Sequence, residues 1–234
     1  MVAVTIDDMG LDARRSRLMM ELPAPLTLSF IPYARDLERQ TAAARGFGHE
    51  LMVHVSMQPL NTAIDPGPNA LMVDQETDEI RRRLSWALAS FDGYVGINNH
   101  MGSRFTTDRP GMTVVMRELK RRGLLFLDSR TVPHSLGTSV AAEFRVPHAG
   151  RSLFIDNVLT VEAVMKELTE VEQIARRAQI AIAIGHPHDA TLAALEDWLP
   201  TLAGKGIVLV PVSAIVARQE EGRAGGSAKS SASP

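Results

Sequence analysis

The sequence begins with the stretch Val2-Ala3-Val4-Thr5-Ile6-Asp7-Asp8-Met9-Gly10, in which an apolar run of strand type ends in two adjacent carboxylates. Side chains alternate between the two faces of a strand. The branched apolar side chains of one face would therefore pack under helices, while Asp7 would point inward on the other face, with Asp8 at the rim. Buried carboxylates are costly unless a metal, a cation or hydrogen-bond donors hold them. Asp8 could instead cap a helix that begins near Leu11, which would leave Asp7 unexplained.

The composition limits the classes of protein that this chain can belong to. With 234 residues, 45% of them apolar, it has room for one large α/β domain or two small ones. The net charge of −2, with acids and bases well mixed, predicts no nucleic-acid partner. The absence of cysteine excludes disulfides, thiolate metal sites and a cysteine nucleophile. Neither a membrane-spanning run nor a signal peptide is visible, so we expect no membrane contact from this sequence, although an anchor could lie upstream.

The order of the segments predicts an α/β fold. Strand-like apolar runs alternate with helical patterns, as in a parallel sheet with crossover helices. Residues 57–73 form a long loop, and loops of this length are often functional. Residues 94–97 predict a strand that leads into the polar stretch at residues 98–104. We predict one domain over residues 1–218 and a disordered tail over residues 219–234, which are rich in Glu, Gly, Ser, Lys and Ala.

Polar side chains recur where the predicted strands end. They are Asp7 and Asp8, then His54, His100 and Asp128, and finally His186 with His188. The carboxyl ends of parallel strands lie together in space, so these residues can converge. A lone histidine is more often a hydrogen-bonded core or surface residue, but recurrence at equivalent strand ends indicates one site.

The residue types of this group indicate metal-dependent chemistry. Imidazoles and a carboxylate can bind a metal ion and leave one coordination position for water. A second carboxylate can take a proton from that water, and a further histidine can protonate a leaving group. These ligands suit zinc, with iron, cobalt, nickel or manganese as alternatives, so we predict a divalent metal cofactor with zinc as the first choice.

Several motifs resemble those of polysaccharide deacetylases of the NodB-homology type, the carbohydrate esterase 4-like superfamily. Residues 5–8 resemble the opening Thr-Phe-Asp-Asp motif of these enzymes, residues 48–59 the second motif, and residues 182–186 the late motif that ends in a catalytic histidine. The divergent polysaccharide deacetylase subfamily of bacterial proteins is more similar still. Its motifs match Asn-Asn-His-Met-Gly-Ser at residues 98–103, the most specific piece, Asp-Ser-Arg-Thr at residues 128–131 and Gly-His-Pro-His at residues 185–188. The resemblance covers about residues 2–216.

The resemblance implies a fold and a set of catalytic roles. The fold would be a single-domain, distorted (β/α) barrel with about seven mostly parallel strands. Asp7 would be the general base and His186 the general acid. Asp8 and His54 would be metal ligands.

One ligand position departs from the ordinary family pattern. The second metal histidine of that family falls at Gln58, so His100 or His188 would have to supply the missing imidazole. We take His100 as the third ligand. The residues predicted to contact substrate are Asn99, Arg104, Asp128, Ser129 and His188.

The implied activity is a metal-dependent, deacetylase-like hydrolysis of the amide C–N bonds of N-acetylated sugars. The partner would be a carbohydrate or small glycan, in the periplasm or cell envelope. Gln58 favours a first alternative, a catalytically degenerate glycan-binding or envelope-assembly protein on the same barrel. A basic pocket around Arg104, Arg130, Arg145 and Arg151 would favour a second, another metal hydrolase such as a phosphoesterase.

Overall fold

A computed structural model describes residues 1–230 of the chain, and side chains through residue 222. Within these residues, helices alternate with the strands of a single sheet. The strands are β1 (Val2–Met9), β2 (Thr27–Phe30), β3 (Glu50–Met57), β4 (Gly96–Met101), β5 (Leu125–Asp128), β6 (His148–Gly150), β7 (Leu153–Phe154) and β8 (Ala181–Gly185). The helices are α1 (Ala13–Met20), α2 (Leu37–Gly46), α3 (Thr77–Leu88), α4 (Arg109–Arg122), α5 (Gly137–Glu143), α6 (Val161–Ala178), α7 (Asp189–Trp198) and α8 (Val212–Ser230).

The sheet curls into a barrel that is closed by one bent stretch of chain. Its strands are all parallel, in the order β6-β5-β4-β3-β2-β1-β8-β7. β6 pairs with β5, and β7, only three residues further along, pairs with β8. At the bend, the Arg151 amide donates to the Asp128 carbonyl and the Ser152 amide to the Ile182 carbonyl. The predicted single-domain, distorted (β/α) barrel is confirmed, with eight strands instead of about seven because the closing stretch is divided in two.

Two apolar clusters lie on the two faces of the sheet. The outer cluster, beneath the helices, contains the branched side chains of β1, as the alternation of that strand predicts. The inner cluster contains Ala3 of β1 and three residues of α8, so this helix plugs the amino-terminal end of the barrel. The Val212 amide donates to Thr27 Oγ1 at 3.0 Å, and the Ser213 amide to Glu50 Oε1 at 3.2 Å, which fixes the start of α8. The aspartates and histidines predicted to form the site lie toward the opposite, carboxyl-terminal ends of the strands.

The last helix extends into the segment that was predicted to be disordered. α8 continues to Ser230, so the tail predicted over residues 219–234 overlaps it, and residues 231–234 lie outside the described residues. The domain boundary at residue 218 stays a prediction. Across residues 1–230, no helix combines the length and apolar character that a membrane crossing requires.

The polar stretch after residue 97 continues the strand that was predicted over residues 94–97. Asn98, Asn99 and His100 lie within β4, where their backbone pairs in register with β3. This register sets His54 beside Asn98 and Ser56 beside His100. The low β propensity of asparagine and histidine is outweighed here because their side chains find polar partners at the open end of the barrel.

Gly96 marks a close approach of two strands. A Cβ at this position would overlap the carbonyl oxygen of Leu125 in β5. We therefore expect Gly96→Ala to lower the free energy of unfolding by about 1–3 kcal/mol, as overpacking usually does, measured by chemical denaturation. Gly204→Ala is the matched control, because nothing lies within 4 Å of the added atom. Equal stabilities of the two variants would contradict the close contact.

Candidate metal centre

The end of β1 is distorted in a way that brings both aspartates to the site. The pairing of β1 with β2 shifts between Ile6 and Met9, and Asp8 has a φ of +54°. In a regular strand Asp8 would face the outer side of the barrel, opposite to Asp7. Non-glycine residues with positive φ cost roughly 1–3 kcal/mol and cluster at functional sites. Asp8 does not cap α1, because that position is held by Asp12, which accepts from the Arg15 amide at 3.0 Å.

Asp8, His54 and His100 form a compact group of potential metal ligands. Asp8 Oδ1 lies 2.8 Å from His100 Nδ1 and 3.3 Å from His54 Nε2. Among the described residues, no donor reaches this buried oxygen with hydrogen-bond geometry. Two atoms that share one zinc ion lie about 3.0–3.5 Å apart, because each bond is about 2.0–2.2 Å long. The 3.3 Å separation lies in this range and the 2.8 Å separation just below it, and the three ligand atoms lie within 4.8 Å of one another, so a small outward shift of His100 would let the group hold a single divalent cation. It is one of two such groups in the described residues.

Asn98, which was not among the predicted site residues, connects this group to Asp7. Its amide nitrogen donates to Asp7 Oδ1 at 2.7 Å, so its Oδ1 is the acceptor that faces His54 Nδ1, also at 2.7 Å. This assigns the proton of His54 to Nδ1 and leaves the Nε2 lone pair for a metal ion. Asp7 and His54 are each 2% exposed, and Asp7 Oδ2 lies 3.7 Å from His54 Nε2. The sequence carries no signal that separates Asn98 from Asn99, because the position of Asn98 beside His54 is set by the register of β3 and β4.

The charges in the centre shift two pKa values in opposite directions. Burial by itself raises the pKa of Asp8, but the imidazoles of His100 and His54 outweigh it and hold this pKa well below its usual range. Burial by itself lowers the pKa of His54, but the carboxylates of Asp7 and Asp8 outweigh it and raise this pKa. Without a cation, the two carboxylates therefore favour the protonated form of His54, as expected of a site that a positive charge would stabilise.

A histidine–aspartate pair, His186 with Asp156, lies on the other side of Asp7. His186 directly follows β8, which pairs with β1 and sets Gly185 beside Ile6. Asp156 Oδ2 accepts from the His186 amide at 2.5 Å, and its Oδ1 lies 3.1 Å from His186 Nδ1. Burial lowers the pKa of His186, but Asp156, together with the charges of Asp7 and Asp8, raises it from 6.5 to about 9. Asp156 was missed in the sequence because β7 has only two residues, although Asp156 follows the apolar run of residues 153–155 as Asp7 follows that of residues 2–6.

Asn99 holds the loop at the end of β5, and its contact with substrate stays a prediction. The side chain is fully buried. Its Oδ1 accepts from the Ser129 amide at 2.9 Å, and its Nδ2 donates to the Met101 carbonyl at 2.8 Å. The Ser129 hydroxyl accepts from Asn98 Nδ2 at 3.3 Å. Contact of Ser129 with substrate stays a prediction.

Asp128 also holds the chain after β5, and its contact with substrate stays a prediction. It is 1% exposed, and its two oxygens accept from the Arg130 amide at 2.8 Å and the Ser135 hydroxyl at 2.7 Å. Arg104 stands apart from the centre, 3.7 Å from Asp74 in an exposed ion pair, and its contact with substrate stays a prediction.

The positions of the two histidines bear on which of them replaces the missing imidazole. Gln58 Oε1 accepts from the Val73 amide at 2.8 Å, so this side chain holds the loop after β3. His100 lies with Asp8, whereas His188 lies with His186 and Asp156. The structure thus brings His100 to the first group, with Asp8 and His54.

Asn98→Ala removes the group that orients His54 and Asp7. We expect the affinity for a divalent ion to fall by about 10–100-fold, as for other residues that hold a ligand in place, measured by competition with a chromophoric chelator. Gln58→Ala is the control, because its side chain contacts only the loop. An Asn98→Ala protein with wild-type affinity would show that Asn98 does not orient the ligand.

Comparisons with known proteins agree with this geometry. Residues 4–216 match a family model described as divergent polysaccharide deacetylase. The uncharacterized protein YibQ of Escherichia coli K12 is 31% identical over 215 residues, which are 92% of this chain and 67% of that protein. The crystal structure of the uncharacterized protein ATU2773 from Agrobacterium tumefaciens C58 is 30% identical, with a TM-score of 0.89 over 92% of this chain and 88% of that one.

A more distant structure shares the fold alone. It is the catalytic domain of a peptidoglycan N-acetylglucosamine deacetylase from Eubacterium rectale, which is 15% identical to this chain. The TM-score is 0.55 over 90% of this chain and 87% of that domain.

Proposed function

The chain belongs to the divergent polysaccharide deacetylase family, and we propose that it is a metal-dependent hydrolase that removes acetyl groups from N-acetylated sugars. One observation carries the proposal: a carboxylate–imidazole ligand group has a second carboxylate, Asp7, beside it and a histidine–aspartate pair on the far side of Asp7. The substrate class rests on the family and on the activity named for the Eubacterium rectale domain. The periplasm or cell envelope is the proposed setting, by family resemblance.

The ligand group suits zinc. Asp8, His54 and His100 supply one oxygen and two nitrogens, which is the ligand number of catalytic zinc sites that keep a position open for water. A bound divalent ion would lower the pKa of water and polarise the amide carbonyl. The hydrogen bond from His54 to Asn98 keeps the ligand nitrogen correctly oriented.

Asp7 is the proposed general base. Its Oδ1 is held by Asn98, which leaves Oδ2 on the side of His54. The carboxylate is buried and lies next to the ligand group without belonging to it. It can take a proton from the attacking water as the new C–O bond forms.

His186 is the proposed general acid. With a pKa of about 9 in the metal-free protein, it carries a proton at neutral pH. Asp156 fixes the ring, and His186 donates its proton to the sugar nitrogen as the C–N bond breaks. Water and the amide thereby give acetate and a free amino sugar.

The Asp156–His186 pair predicts a titration that can be measured in the metal-free protein. By NMR, we expect the imidazole of His186 to titrate near pH 9 in the wild-type protein. In Asp156→Asn it should titrate well below pH 9, because the carboxylate that counteracts the lowering of this pKa by burial has been removed. Since the folded pKa lies above 6.5, the contribution of the pair to stability is complete below about pH 6.5 and is lost as the pH rises through about 9. A His186 signal that titrates at the same pH in both proteins would contradict the assignment.

Release of acetate from oligomers of N-acetylglucosamine by the zinc-loaded protein tests the proposal. The degenerate, non-catalytic alternative rests on Gln58 in place of the family's second metal histidine, but His100 places a second imidazole beside Asp8 and His54. The phosphoesterase alternative relied on a basic pocket around Arg104, Arg130, Arg145 and Arg151, but Arg151 donates to the carbonyls of Ser129 and Arg130, and Arg104 pairs with Asp74. We expect acetate from the glycans and no phosphate from p-nitrophenyl phosphate. The reverse result would overturn the proposal.

A further inference from the structure

A second group of potential metal ligands lies at the same end of the barrel. It consists of Asp156, His186 and His188, and one ligand atom from each lies within 4.8 Å of the others. Like the first group, it combines one carboxylate with two imidazoles. His188 is the residue that precedes α7, and its amide donates to the carbonyl of His186 at 2.7 Å. The tight turn between the two histidines holds both rings on one side of Asp156.

The geometry of this second group also fits a shared ion. The 3.1 Å between Asp156 Oδ1 and His186 Nδ1 falls in the range of about 3.0–3.5 Å expected for two ligands of one zinc ion. Asp156 is held in place because its other oxygen accepts from the His186 amide and the Thr191 hydroxyl. The rings of His186 and His188 are 6.0 Å apart at their centroids and tilted by 42°. His186 is 28% exposed, so an ion in solvent can reach it.

We propose that Asp156, His186 and His188 form a second, weaker divalent-cation site, and that an ion bound there prevents His186 from donating its proton. A cation there must break the hydrogen bond between His186 and Asp156, whereas no donor reaches the ligand oxygen of Asp8 with hydrogen-bond geometry in the described residues. The second site therefore fills only at metal concentrations above those that fill the first. The inhibitory effect rests on the proposed function, but the binding site does not.

Counting bound zinc tests this site directly. Equilibrium dialysis with elemental analysis should show two classes of bound zinc in the wild-type protein. His188→Gln should lose only the weaker class, and Asp8→Asn only the tighter one. His134→Gln, which removes an exposed histidine of the loop after β5, is the matched control and should keep both classes. A single class that is unchanged in His188→Gln, or two unchanged classes in His188→Gln, would overturn the second site.

A measurement on the wild-type protein keeps the test valid if His188→Gln does not fold. In an NMR titration with zinc, the imidazole signals of His54 and His100 should shift with the first equivalent, and those of His186 and His188 only with further zinc. Unchanged His188 signals at excess zinc would overturn the site. If the protein binds only the weaker, His188-dependent class of zinc, the second site is supported and the proposed metal-dependent activity is not. Failure of the second site can therefore be distinguished from failure of the proposed function.

Inhibition is read from a ratio of rates. The rate of acetate release at excess zinc, divided by the rate at one equivalent, should be well below one in the wild type and close to one in His188→Gln. Equal ratios in the two proteins would show that the second ion does not act on the proton donor.

Discussion

Asp7→Asn is expected to lower kcat for deacetylation by about 10²–10⁴-fold, the usual contribution of a general base, while metal binding is kept. The substitution preserves the shape of the side chain, and an oxygen remains to accept from Asn98 Nδ2. It removes the group that takes the proton. Asp7 lies outside the ligand group, so the tight zinc stoichiometry should equal that of the wild type.

Measuring both kcat and bound zinc in Asp7→Asn distinguishes a catalytic role of Asp7 from a role in binding the metal ion. An unchanged kcat would show that Asp7 is not the base, and loss of zinc would show that it is part of the metal site. Asp12→Asn is the matched control, because Asp12 caps α1 and has no part in the centre. It should leave kcat unchanged and alter stability by at most about 1 kcal/mol, the scale of a cap substitution.

Asp8→Asn is expected to weaken the tight binding of zinc by more than about 100-fold, beyond the usual effect of disturbing a residue that only orients a ligand. Asparagine tolerates the positive φ of this position, so the backbone of the bulge should be kept. The neutral amide oxygen, however, is a much poorer zinc ligand than a carboxylate. Deacetylation should fall with metal occupancy and recover in part at high zinc.

Isothermal titration calorimetry and thermal unfolding of the metal-free protein check this expectation. In the metal-free state Asp8→Asn should unfold cooperatively, as the wild type does. If it binds zinc as tightly as the wild type, the ion does not lie between Asp8, His54 and His100, and the proposed centre is wrong.

The fold was largely predictable because its signals are local. The alternation in β1 predicts which side chains lie under helices and which point into the barrel, and the two apolar clusters confirm it. The closing stretch was harder to predict, since β6 has three residues and β7 two. Such short pieces carry no periodicity, and only their pairing with distant strands defines them.

The candidate site was predictable where residue type alone is informative. Aspartates and histidines at strand ends indicated Asp7, Asp8, His54, His100 and His186. The part played by Asn98 depends on strand register, which sets it beside His54. An asparagine has no chemistry of its own that would separate it from the neighbouring Asn99, which faces another partner. Long-range pairing thus decides which polar residues orient the ligands and which hold loops.

The most direct test of the central claim is the rate of acetate release from N-acetylglucosamine oligomers before and after removal of metal. The wild-type protein is stripped with a chelator, dialysed, and then supplied with zinc in steps up to one equivalent. We expect no release from the stripped protein and a rate that rises in proportion to the zinc bound at Asp8, His54 and His100. Acetate release that persists without metal, or a fully loaded protein that releases none, would contradict a metal-dependent deacetylase.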